Sequence, residues 1–143
     1  MSARRVSFFV LTLMLGSLAL AQDDTSPEGV VREYAATWNA GDLDAFLELH
    51  SPDVRKYRRA DATSEFQLTT TGRDVVRQKY QPLFVKTPRV RVEIADMTSL
   101  GEIVVTRDRV SGAADGHVSH ELTMYLVRDG LIHNIWYLGR VLE

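Results

Sequence analysis

The sequence predicts an α+β fold in which three helices cover one face of a curved antiparallel sheet, in the order α-α-β-α-β-β-β-β. Three observations carry this. Apolar residues recur at three- and four-residue spacing from Val30 to Phe46 and again from Val76 to Phe84. From Val90 onward the period changes to two. Turn signals then divide the second half into four strands, the strongest being Asp129-Gly130. Helices on one face of such a sheet bury both apolar surfaces.

The chain opens on a segment outside that fold. Met1-Ser2-Ala3-Arg4-Arg5 is a positive start, Val6 to Leu20 is almost wholly apolar, and Ala19-Leu20-Ala21 has the small-x-small form of a signal-peptidase site. The apolar run is short for a membrane span and ends abruptly at Gln22-Asp23-Asp24. The expectation is a signal peptide over 1–21 and an exported protein, periplasmic or secreted, with no stable membrane insertion after cleavage. Residues 22–143 then form a single domain, long enough to bury a core without covalent staples.

Ser26-Pro27-Glu28 reads as a helix start: a capping hydroxyl, proline at the first helical position, then an acid near the positive end of the dipole. Val30, Val31, Tyr34, Ala35 and Trp38 share one face of that helix, and Gly41 suits its left-handed cap. Asp42 caps a second helix with Leu43, Phe46, Leu47 and His50 inward, stopped by Ser51-Pro52. Val54 to Arg59 is a first strand, and the polar, Thr/Ser-rich stretch from Ala60 to Thr71 reads as a loop or lid. Thr71-Gly72-Arg73-Asp74 resembles a capping box opening a third helix, with Val76, Tyr80, Leu83 and Phe84 inward and Pro82 ending or kinking it near Gln81. Val90, Val92 and Ile94 alternate in the next strand. Ile103 to Val110, His117 to Arg128 and Leu131 to Leu138 complete the sheet, with turns at Ser99–Glu102 and Gly112–Gly116.

Composition narrows the chemistry. The absence of cysteine excludes disulfides, thiolate metal sites and thiol nucleophiles. Seventeen basic and nineteen acidic residues give −2, and loss of Arg4 and Arg5 with the leader makes the remainder about −4, which argues against nucleic acid as a partner. His117 and His120 fall on opposite strand faces, with His50 and His133 far away, so no metal site is expected. No Gly-rich phosphate loop and no GxSxG occur.

The order of elements, with Val30-Val31, Tyr34 and the turn Asn39-Ala40-Gly41-Asp42-Leu43-Asp44, resembles the nuclear transport factor 2-like superfamily, which includes ketosteroid isomerases and SnoaL-like polyketide cyclases. The closing hairpin Tyr125-Leu126-Val127-Arg128-Asp129-Gly130 is similar too, and the likeness spans about residues 27 to 140. The resemblance implies a cone-shaped sheet capped by helices, an apolar pocket for a small molecule, no cofactor, and a homodimer through the convex sheet face. It places Tyr34 at the isomerase's oxyanion-hole tyrosine, but it places Arg58 at the base position and Thr123 at the second acid position. Arginine cannot take up a proton and threonine is a weak donor, so the steroid-isomerase constellation is not reproduced. An epoxide-hydrolase type of Asp–Arg–Asp set fails as well, because Asp108 points away from Arg107 and Arg109.

The nominated pocket residues are Tyr34, Trp38, Arg58, Thr123, Tyr125, Asn134 and Trp136. Tyr34 is equally well read as a core tyrosine and Trp38 as packing. Lys56 and Arg58 share one strand face; an inward Arg58 suggests an anionic ligand, while the plainer reading is a solvated basic edge. Leu122, Met124 and Leu126, with Ile135 and Tyr137, are expected on the convex side. The expected function is a binding protein for a small, partly apolar, anionic molecule. The alternative is a cofactor-independent isomerase, cyclase or hydratase using Tyr34 and Asp108, decided by whether a carboxylate enters the cavity beside Tyr34.

Overall fold

The computed structural model describes residues 24–143, so the leader expected over 1–21 lies outside the described residues. The first helix, α1, spans Pro27–Ala40. The Ser26 side chain accepts from the Gly29 amide at 3.1 Å, and Gly41, at φ 78°, turns its own amide back onto the Thr37 and Trp38 carbonyls. Helix α2, Leu43–Glu48, is capped by Asp42, which accepts from the Ala45 amide at 3.0 Å. It is shorter than expected. His50 already belongs to strand β1 (His50–Arg58), and Ser51-Pro52 lies within the strand rather than ending the helix. Pro52 is tolerated because the ladder to β6 breaks between His50 and Arg55, where no strand amide is needed.

The segment expected as a loop contains a further strand, β2, Gln67–Thr71, paired antiparallel with β1. It is an edge strand on which only Thr70 is buried, so it carries no apolar alternation to read. Helix α3, Arg73–Val85, starts at Gly72 with no side-chain cap, so the capping box does not form; Arg73 turns back to the His50 carbonyl instead. Pro82 lies inside α3 without ending it. The last turn is held by Phe84, whose ring packs 5.0 Å from Trp38 and 5.2 Å from Phe46. Strands β3 (Arg91–Leu100), β4 (Ile103–Ser111), β5 (Ser119–Arg128) and β6 (Leu131–Leu142) follow.

The fold is α+β, with three helices on a six-stranded, curved and unclosed sheet in the order β2-β1-β6-β5-β4-β3. Every pairing is antiparallel except β1 with β6, which run parallel. Those two strands lie far apart in the chain, so the pairing needs no tight hairpin. One apolar cluster lies between α1 and the sheet, around Val31, Val104, Tyr125 and Ile135. The other, around Phe46, Val54, Val76 and Phe84, fills the space among α2, α3 and β1.

One expectation about β6 is reversed. Val127 pairs with Ile132 and Leu126 with Asn134, so His133 is an extra, unpaired residue. A one-residue bulge exchanges the faces of everything beyond it. Thr123 and Tyr125 therefore share their face with Tyr137 and Ile135, which is fully buried, while Asn134 and Trp136 lie on the convex side. Trp136 stacks there on Tyr57, at 5.4 Å and 10° between planes.

Candidate functional site

Between α1, α3 and the concave sheet face lies a cavity of about 330 Å³. Tyr34 and Trp38 reach it from α1, Tyr80 from α3, Asp108 from β4, and Thr123 and Tyr125 from β5. Val31, Val92, Ile94 and Val110 make most of the remaining wall apolar. Of the residues nominated from sequence, Tyr34, Trp38, Arg58, Thr123, Tyr125 and Asp108 line this space. Asn134 and Trp136 do not, because of the His133 bulge. Trp38 is anchored as well as lining: its indole N–H donates to the Val90 carbonyl at 2.9 Å.

Asp108 is the carboxylate on which the alternatives turn, and it is inside. It is 4% exposed. Strand alternation puts Thr106 on the same face, and Thr106 Oγ1 donates to Asp108 Oδ2 at 2.9 Å; Oδ1 has no partner among the described residues. Burial pushes the carboxyl up to about 6; the Thr106 hydroxyl opposes this, and Glu121, directly across on β5, adds to it. Such a group holds its proton below about pH 6 and releases it above.

A second polar cluster lies against the tyrosines and was not legible in the sequence. Lys56, read there as part of a solvated basic edge, is 1% exposed, because β2 and not β1 forms the edge. Its Nζ lies 3.5 Å from the Tyr34 hydroxyl and 4.1 Å from the Tyr80 ring centroid. Among the described residues no carboxylate forms a salt bridge with it. The Tyr80 and Tyr137 hydroxyls bond each other at 3.0 Å. The one available signal was the placement of Lys56 two residues after Val54, on that strand's buried face. His50 is also buried. Its Nδ1 meets the Phe46 carbonyl at 2.9 Å and Nε2 has no partner among the described residues; burial, then the Lys56 charge, pushes it down to about 3, so the ring is neutral and Nδ1 is the donor.

The mouth is basic. Arg58, Lys86, Arg89 and Arg140 line it, with Glu121 between them. Arg140 is engaged with Glu121 at 3.4 Å, and Arg89 donates to the Asn39 carbonyl at 2.7 Å. Arg58 lies over the Tyr137 ring at 4.5 Å and forms no salt bridge among the described residues. No three His, Asp or Glu side chains converge as a metal-ligand set among the described residues.

A family model described as a SnoaL-like domain matches residues 31–135. No curated protein sequence matches the chain. Among solved structures, the chain is similar to an uncharacterised cystatin-fold protein from Novosphingobium aromaticivorans, with TM-score 0.67 and 18% identity over 80% of this chain and 98% of that one. It is similar to wild-type IdmH, a candidate polyketide cyclase from Streptomyces antibioticus, with TM-score 0.64 and 22% identity over 82% of this chain and 91% of that one. A candidate ketosteroid isomerase from Kribbella flavida gives TM-score 0.60 and 19% identity over 77% and 74%. At these identities the likeness is one of fold.

Proposed function

We propose that this chain, which belongs to the SnoaL-like domain family, is an acid–base enzyme of the isomerase, cyclase or hydratase class that works with its own side chains on a small, largely apolar carbonyl compound. The observation that carries this reading is Asp108: a buried carboxylate with one oxygen unpartnered among the described residues, lining the same apolar cavity as Tyr34. Its ionisation near neutrality suits a group that must take up and return a proton at ordinary pH.

In the simplest step, the Asp108 carboxylate removes the proton from a carbon next to the ligand's carbonyl. The electron pair moves into the carbonyl, and a phenol such as Tyr34 donates a hydrogen bond to the developing oxyanion. Return of the proton from Asp108 to the far carbon of a conjugated enolate gives an isomer; attack of the enolate carbon on a second carbonyl of the same molecule breaks that carbonyl's π bond, its oxygen takes the proton from Asp108, and a ring closes. Arg58 at the mouth suits a carboxylate on the substrate, since a guanidinium holds one bidentately. The neighbours described as a candidate ketosteroid isomerase and a candidate polyketide cyclase lend support by analogy.

The test is exchange of carbon-bound hydrogen in deuterated water, followed by NMR over a panel of cyclic enones and keto acids. Wild-type protein should speed exchange beside the carbonyl, and Asp108→Asn should lower the rate by about 10²- to 10⁴-fold. No exchange above the buffer rate with any member sinks the enzyme reading. Binding without turnover is the second reading, favoured by the arginine that stands at the family's base position. Panel members that stabilise the protein without exchange would establish it.

The remaining assignments belong to the same proposal. The leader over residues 1–21 supports an exported protein, periplasmic or secreted. The Tyr57–Trp136 stack and Leu122, 43% exposed, on the convex side support a homodimer through that face.

A further inference from the structure

A buried ammonium without a carboxylate is the least expected group in this protein. Desolvation of such a charge is costly unless other groups take it up. Lys56 is 1% exposed, and β1 carries it between β2 and β6, where it pairs with Thr70 on one side and the fully buried Ile135 on the other. Three rings surround its Nζ, with centroids at 4.1 Å for Tyr80, 5.5 Å for Phe46 and 5.7 Å for Tyr34. The hydrogen bond of its side chain goes to the Tyr34 hydroxyl, at 3.5 Å. Tyr34 lines the cavity, and Lys56 stands behind it.

We propose that Lys56 is a positioning residue for Tyr34: by donating to the phenol oxygen from behind the cavity wall, its ammonium turns the Tyr34 proton toward the cavity, to meet a ligand oxygen that bears negative charge. This deepens the acid–base reading by naming what aims the oxyanion donor, and it rests on that reading for its part in turnover. The direction follows from the donors and acceptors present. An ammonium has three donors and no acceptor, so the Tyr34 oxygen accepts from it and keeps its own proton for another partner. An oxygen that accepts from a cation is polarised into a better donor through its remaining O–H. Among the described residues no carboxylate forms a salt bridge with Lys56, so the ligand class that fits is an oxyanion, an enolate or a phenolate, rather than a neutral alcohol.

Two other phenols on this wall are engaged differently. Tyr80 gives the ammonium its ring face, and its hydroxyl bonds that of Tyr137 at 3.0 Å, so one proton of that pair is spent within it. The Tyr34 ring is also held in place. Phe46 packs 4.6 Å from its centroid, and His50 and Tyr125 meet it edge-on at 5.5 and 5.7 Å. A ring so held leaves rotation of the hydroxyl proton as the freedom that Lys56 removes. Burial, with the neighbouring phenols, keeps Tyr34 well above the ordinary phenol range, so it acts as a donor and not as a base.

The experiment measures binding of para-nitrophenolate and of neutral para-nitrotoluene, two molecules of nearly one shape, to the intact protein in mildly alkaline buffer. Wild type should favour the phenolate. Tyr34→Phe should weaken phenolate binding by roughly tenfold or more, the scale of a hydrogen bond to a charged group, and leave nitrotoluene unchanged. Lys56→Met should do the same, and the double variant should lose no more than Tyr34→Phe alone, since the lysine acts through that phenol. A wild type without the preference, a phenolate affinity that Lys56→Met leaves intact, or losses that add in the double variant overturn the proposal. So does a larger loss in Tyr80→Phe than in Tyr34→Phe. Should Lys56→Met fail to fold, NMR of isotope-labelled Lys56 Nζ decides: phenolate should shift its signal in wild type and not in Tyr34→Phe, and a signal indifferent to phenolate refutes the coupling. No arm needs turnover, so a negative exchange assay would remove the acid–base reading while leaving this pair to stand or fall by itself.

Discussion

Thr106 and Asp108, two residues apart on one strand face, are joined by a 2.9 Å hydrogen bond that occupies one carboxylate oxygen and leaves the other, buried oxygen without a partner among the described residues. The arrangement keeps the carboxylate pointed, while its burial opposes ionisation. From it follow a pH dependence and a direction of stability.

The folded protein holds the Asp108 proton up to about pH 6, against 3.8 for an ordinary aspartate. Between those values the native state binds more protons than the unfolded one, so this group makes stability fall as pH rises from about 4 to 6. Asp108→Asn should therefore be more stable than wild type at pH 7, by up to roughly 3 kcal/mol at about 1.4 kcal/mol per pH unit. His50 acts in the opposite sense: its pKa is depressed to about 3, and its contribution is lost as pH falls from 6.5 toward 3. Urea unfolding of wild type and Asp108→Asn at pH 5 and 7 isolates the aspartate. Parallel pH slopes would mean that Asp108 titrates as an exposed acid.

Thr106→Val removes the hydroxyl that favours the ionised carboxylate. The midpoint of the exchange rate against pH should then move upward relative to wild type. A midpoint that stays, or moves down, contradicts the role given to this bond.

Asn39 ties the end of α1 to the start of β3: its amide donates to the Val92 carbonyl at 2.7 Å and accepts from the Val92 amide at 2.9 Å. Asn39→Ala leaves both backbone groups without their protein partner, and about 1–3 kcal/mol of stability should be lost. Thermal or urea unfolding reads this directly. A change below about 0.5 kcal/mol would show that water replaces the clamp.

Among the described residues no carboxylate forms a salt bridge with Arg58, which lines the apolar cavity. Aromatic and aliphatic acids should raise the melting temperature of wild type, and Arg58→Ala should abolish that gain. Equal stabilisation of both proteins rules out an anion site at this residue.

Should the convex face pair two copies, wild type will elute as a dimer on sizing at micromolar concentration. Trp136→Lys, placed in the middle of that face, should then elute as a folded monomer. A monomeric wild type refutes the interface.

Local chemistry made much of the architecture legible. Ser26, Pro27, Gly41 and Asp42 specify helix ends by bonds made within a few residues. Asp129 and Gly130, at φ 52° and 73°, form the tight turn their identities require. Features without a local signature were missed. Strand β2 has almost no buried face to alternate, and Pro52 is allowed in β1 only because the ladder is interrupted there. The site was legible in part: helical and strand period show which residues share a face, and the family resemblance turns the faces of Arg58, Thr123 and Tyr125 inward, where they line the cavity with Tyr34, Trp38 and Asp108.

By itself, then, the sequence determined the α+β order of elements, their caps and turns, and which side of β4 carries Asp108. Only the tertiary structure decided what those faces meet. A single bulge at His133 exchanged Trp136 for Tyr137 at the cavity, since side-chain direction in a strand depends on counting every residue. The depth of Asp108 and Lys56 was likewise set by pairing partners distant in the chain: Glu121 opposite the first, β2 and β6 flanking the second. Burial shifts their proton affinities, and burial is a property of the packed chain.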